Sequence, residues 1–144
     1  MGENRLKITQ TVEEQLRQKR GVTEILEETR INSLSGYLNL IMGRRGISAD
    51  ALAELSVLNR ASLYRILNGS TKRPHRNALL RIALTLELDL EEVQLLLKRA
   101  MCAQLTGSIP RDIIIMDGII HRRGIDEINR RLTKHRQSDL YARD

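Results

Sequence analysis

Residues 47–74, ISADALAELSVLNRASLYRILNGSTKRP, decide the fold. They read as two short helices joined by a tight turn, followed by a polar, basic loop. Ser48 is suited to cap the first helix, and Asp50 to sit in its first turn against the helix dipole. Leu52 and Leu55 face inward, while Ala51 and Ala53 permit a close neighbour. Val57 and Leu58 fill the turn. Asn59 is the N-cap of the second helix, and Gly69 follows its last residues as the left-handed stop. On a helical wheel of about 100° per residue, Leu63, Ile66 and Leu67 cluster on one side. Ala61, Arg65 and Asn68 lie opposite, flanked by Ser62 and Tyr64, and Arg60 projects ahead of the helix end.

Upstream, Asn32 or Ser33 caps the helix SLSGYLNLIMGR, in which Leu34, Tyr37, Leu38 and Ile41 repeat at i, i+3, i+4, i+7. Arg44 and Arg45 complement its dipole, and Gly46 ends it. Residues 1–31 are charged. Thr11 and Glu14 fit a capping box for a helix from Val12 to Lys19, broken at Gly21. A second helix, VTEILEETR, carries Val22, Ile25 and Leu26 on a narrow stripe. Such helices are marginal alone, so they must pack on the main domain, pair with another copy, or stay partly disordered.

Downstream, Pro74 begins a helix whose Leu79, Ile82, Ala83 and Leu86 form one stripe. Asp89 and Glu92 make a capping box for LEEVQLLLKRA. After a connector, Pro110 opens another helix over RDIIIMDGIIHRR. The three isoleucines alone would suit a strand, but the proline start, the length and a Gly124 stop favour a helix. Asp126 caps a last helix, EINRRLTKH, and the tail RQSDLYARD is expected to fray. The resulting plan is all-α. Residues 1–31 form an N-terminal helical extension, 32–101 the main domain, and 102–144 a C-terminal helical extension.

Composition bounds the function. Hydrophobic residues are 41% of the 144 and aromatics 2%, with no Phe or Trp, so the core is aliphatic. The net charge of +6 favours polyanionic partners, nucleic acid or an anionic membrane surface. Cys102 is the single cysteine, and His75, His121 and His135 are scattered, so neither a disulfide nor a metal site is expected. No paired carboxylates, nucleophile–base grouping or phosphate loop stand out, and the expectation is a non-enzyme without a cofactor. No apolar run approaches the ~20 residues of a membrane span. The N-terminus lacks a signal-peptide core, and Leu6 stands where myristoylation wants Ser or Thr. A cytoplasmic location is expected.

The outward face of the second helix suits a DNA major groove. Arginine bonds guanine O6 and N7 bidentately, and a small residue allows approach to a thymine methyl. Arg60, Ala61, Tyr64 and Arg65 are the candidate base readers. Ser48, Asn59, Ser62, Asn68, Ser70, Thr71, Lys72, Arg73 and Arg76 are the candidates for the DNA backbone. Between Glu54 and Glu87 there is no acidic residue, while Arg60, Arg65, Lys72, Arg73, Arg76 and Arg81 all fall there. A basic helix face is most often merely solvated. The spacing of the two helices and this acid-free window point past that reading.

From Ser48 to Val93 the chain resembles the phage-repressor/Cro-like helix-turn-helix family, also called the XRE family. The resemblance rests on Leu52-Ala53, Asn59, Leu63, Ile66, Asn68-Gly69, the KRP of residues 72–74 and LLRIALTLELDLEEV. It implies a five-helix, lambda-repressor-like domain over about residues 33–100 and a repressor-like, DNA-binding transcription regulator. It assigns base contacts to Arg60, Ala61 and Arg65, and backbone contacts to Asn68, Lys72 and Arg73. Three positions depart from the family: Ala49 where glutamine is frequent, Val57 where glycine is common in the turn, and His75 where serine often starts the fourth helix. Double-stranded DNA is the expected partner and a homodimer the expected state. A protein partner on the N- or C-terminal helices is the alternative, as in an antitoxin or adaptor.

Overall fold

The computed structural model of the chain describes residues 13–18, 21–31 and 33–143. Every regular element among them is helical. A helical stretch at 13–17 precedes α1 (Val22–Ile31), α2 (Leu34–Arg45), α3 (Ala49–Leu55), α4 (Arg60–Leu67), α5 (Arg76–Thr85), α6 (Leu90–Arg99), α7 (Pro110–Ile120) and α8 (Ile125–Lys134). The capping box expected at Thr11 lies outside the described residues. No helix among them is long and apolar enough to cross a membrane.

The expected stripes form the core, except that Leu55, expected to face inward beside Leu52, is 60% exposed. Leu38, Leu52, Leu63, Leu79, Ile82 and Leu97 are fully buried in one cluster. Each such side chain is worth about 1.5–3 kcal/mol relative to exposure. α2 packs on α4 and α6, α3 on α4 and α5, and α5 on α6. Of the options open for α1, packing is realised: it lies on α2 and buries Ile25, with Val22 and Leu26 exposed.

The C-terminal helices join the same core through Ile115, Ile128, Leu132 and Leu140. α7 packs on α6, and α8 on α5 and α7. Polar bonds reinforce the seam. Arg111 donates to the Asn77 amide oxygen at 2.8 Å, and Asn77 donates to the Ala142 carbonyl at 2.6 Å. Arg81, itself buried, donates to the Leu140 carbonyl and lies over the Tyr141 ring. The tail therefore does not fray as the sequence suggested. Leu140 is fully buried, and its backbone N–H donates to Asn129 at 2.7 Å.

One device ends most of the helices. Gly46, Val57, Glu87, Met101, Arg122 and Arg136 each take a left-handed conformation just after a helix. The next residue's N–H reaches back five positions, as in Leu58 to Ala53 (2.8 Å) and Arg123 to Gly118 (2.8 Å). These are Schellman closures. Three expectations about helix ends are corrected. Arg122, not Gly124, stops α7. Gly124 rather than Asp126 occupies the N-cap of α8. The helix expected from Pro74 begins at Arg76, because Pro74 and His75 are still extended and looped.

Gly118 lets α8 lie close against α7: a Cβ there would lie 2.5 Å from Ile128 side-chain carbons. Alanine in a helix would otherwise be favoured by about 1 kcal/mol, but Ile128 is fully buried and has little room to yield. Gly118→Ala should therefore destabilise the fold by about 1–3 kcal/mol in chemical denaturation. Adding Ile128→Val should recover part of that loss; a Gly118→Ala chain as stable as the parent would contradict the packing.

Candidate nucleic-acid interface

Local chemistry fixes the α3–α4 pair. The Ser48 hydroxyl accepts from the Ala51 N–H at 3.1 Å, and the Asn59 side chain accepts from the Ser62 N–H at 3.2 Å. Between them the chain turns at Val57, whose φ is +56°. The carbonyls of Ser56 and Val57 accept from Arg81 at 2.9 and 3.5 Å. Leu63 and Ile66 anchor α4 in the core. At its far end, Asn39 of α2 donates to the Leu67 carbonyl at 3.0 Å. Gly69 has φ +83°, and the Thr71 N–H folds back onto the Arg65 carbonyl at 2.9 Å.

This scaffold brings Arg60, Ala61, Tyr64, Arg65 and Asn68 to one exposed surface beside Ser70, Lys72 and Arg73. Ser62 and Thr71 are half-buried at its margin. The oxygens of Ser48, Asn59 and Asn68 already serve the backbone, the last accepting from the Ser70 N–H at 2.8 Å. Arg65 reaches Ser62 at 3.4 Å and is otherwise directed outward.

Arg76 is a correction. Its guanidinium pairs with both oxygens of buried Asp112 at 3.1 Å and donates to the Ala103 carbonyl at 2.8 Å. It binds the C-terminal extension to α5 and is withdrawn from the surface assigned to it. Arg81 leaves the acid-free window for the interior in the same way. Such commitments cross 24 to 59 residues of sequence and have no local signature.

The sequence reading missed Asp50 as a partner of α4. Its carboxylate lies 2.8 Å from the Arg60 guanidinium and accepts from the Tyr64 hydroxyl at 2.9 Å. The Tyr64 hydroxyl above all holds the Asp50 carboxyl below its ordinary pKa. Desolvation opposes this, and Arg60 adds to the lowering. The same bond to Asp50 raises Arg60. Also missed was the tail. Tyr141, Ala142 and Arg143 line a groove of about 700 Å³ together with Ser62 and Arg65.

Residues 33–96 match the family model described as a helix-turn-helix domain. This chain carries a helix-turn-helix domain. Comparison with curated proteins and with solved structures gives no match. Within the helix-turn-helix domain, α3 and α4 are the two motif helices and Val57 sits in their turn. A β-branched residue in the left-handed region is strained by about 1–2 kcal/mol. Val57 is 57% exposed, so little burial is lost on removing its side chain. Val57→Gly is expected to stabilise the domain by roughly 1 kcal/mol, net of the greater chain entropy of glycine. A lower melting temperature for Val57→Gly would contradict this.

Proposed function

We propose that the protein is a sequence-specific, double-stranded-DNA-binding transcriptional regulator, with α4 lying in the major groove. One observation carries this reading. The two apolar anchors of α4 are buried while Arg60, Ala61 and Arg65 stand together on its open face, next to a loop bearing Lys72 and Arg73. An α-helix fits the major groove, and arginine there distinguishes guanine. Cations on the adjacent loop meet phosphates and set register without reading sequence. The active species in this proposal is a homodimer on a palindromic site, with half-sites about one helical turn apart. Catalysis has no part in it.

The second reading is a protein-interaction module on the same scaffold. What favours it is the apolar surface of α7 and the residue before it, where Ile109, Ile113 and Ile120 are each about half exposed or more. Selection of bound sequences from a random duplex pool separates the two. An enriched palindrome supports the regulator, and no enrichment favours the module.

On the selected site, Arg65→Ala should cost ~1–3 kcal/mol and relax the preference at one base position. Lys72→Ala should weaken all duplexes alike and reduce the slope of log affinity against log salt by about one. Both variants binding like the parent would exclude this docking.

A further inference from the structure

We propose that Asp50 is a positioning residue for base reading: its carboxylate holds Arg60 and Tyr64 in register for base edges while it weakens attraction to the phosphates. This rests on the DNA-binding reading of α4. The geometry is a two-pronged clamp. Arg60 and Tyr64 are one helical turn apart on the same face of α4. Asp50, the second residue of α3, gives one oxygen to each: Oδ2 to Arg60 Nη2 at 2.8 Å, and Oδ1 to the Tyr64 hydroxyl at 2.9 Å.

The clamp stands in solvent. The side chains of Arg60 and Asp50 are 67% and 55% exposed, and Tyr64 is 46% exposed. Exposed pairs of this kind add little to folding stability. Their effect is on conformation. Arginine carries five N–H donors on a rigid plane, so a carboxylate on one nitrogen leaves others for a second acceptor pair. A long side chain loses rotamer freedom when it binds, and one already held loses less. The carboxylate is also a negative charge on the face that would meet a polyanion, and it remains charged because Tyr64 and Arg60 both favour its ionised form.

The two consequences have opposite signs. Holding Arg60 increases discrimination at the base it reads, and the negative charge lowers affinity for any duplex. Removing Asp50 should therefore raise non-specific binding and lower specificity together. Neither simple repulsion nor simple support of the fold produces that combination.

The test uses the full chain and three duplexes: the selected site, the site altered at the base pair whose preference depends on Arg60, and an unrelated sequence. Asp50→Ala should bind the unrelated duplex at least as tightly as the parent. Its preference for the selected over the altered site should fall on the order of tenfold. Asp50→Asn, which keeps the size and one acceptor oxygen, should move both readouts in the same direction. In an Arg60→Ala background, Asp50→Ala should change the preference by less than about twofold, since the group it holds is gone. Tyr64→Phe should lower the preference by less than Asp50→Ala does.

If Asp50→Ala tightens every duplex by one common factor, Asp50 only repels DNA and the inference is overturned. If it weakens every duplex and lowers the melting temperature, Asp50 only supports the α3–α4 packing, and the inference is again overturned. A parent chain with no preference among duplexes overturns the DNA-binding reading itself, and the role of Asp50 with it.

Discussion

A helix of eight residues makes barely two turns, and in water such a segment does not persist by itself. α4 exists because Leu63 and Ile66 are withdrawn from solvent against its neighbours. The rest of the domain follows from that dependence. α2 must lie alongside to receive the anchors, and Asn39 closes the far end of α4 from there. α3 must approach tightly, which the small Ala53 allows. With its apolar side consumed in this way, the opposite side of α4 carries little structural duty beyond the clamp to Asp50 and the Arg65–Ser62 contact. A face that the fold does not need is available for recognition.

Elements with a period or a local cap were legible in the sequence. The apolar spacing located α1 to α6 and α8, the proline start located α7, and Ser33, Ser48, Asn59 and Asp89 cap as their side chains suggest. Helix ends were legible only where glycine marks them. A Schellman closure is made by backbone hydrogen bonds, so Glu87, Met101, Arg122 and Arg136 serve as well as glycine at some cost in strain. The similar strings GRRGI (43–47) and HRRGI (121–125) show the limit. In the first the glycine is the left-handed stop; in the second the stop falls two residues earlier, at Arg122, and the glycine opens the next helix.

The candidate interface was legible as a surface but not as a circuit. Spacing along α4 placed Arg60, Ala61, Tyr64 and Arg65 together, because a helical wheel carries that information. It carries nothing about partners from elsewhere in the chain. The window between Glu54 and Glu87 is free of acids in sequence but not in space: Asp50 reaches in from α3 and Asp112 from α7. Arg76 and Arg81 were counted as surface charge, yet both are taken up by acceptors far along the chain. The tail was misread because Leu140 belongs to no periodic apolar stripe, and only the three-dimensional arrangement reveals the space it fills.

The bonds made by Arg76, Asn77 and Arg81 have a consequence for modularity. All three sit on α5, inside the matched helix-turn-helix stretch, and all three are satisfied by residues beyond it: Asp112, Ala142 and Leu140. A boundary drawn at the end of α6 would strip Arg76 and Asn77 of these partners, and would leave Arg81 with only the Ser56 and Val57 carbonyls, beside a bared aliphatic surface. The helix-turn-helix unit here is thus not a portable cassette. Grafted alone onto another protein it would bring an unfinished wall, whereas the stretch running through Ala142 brings its own closure.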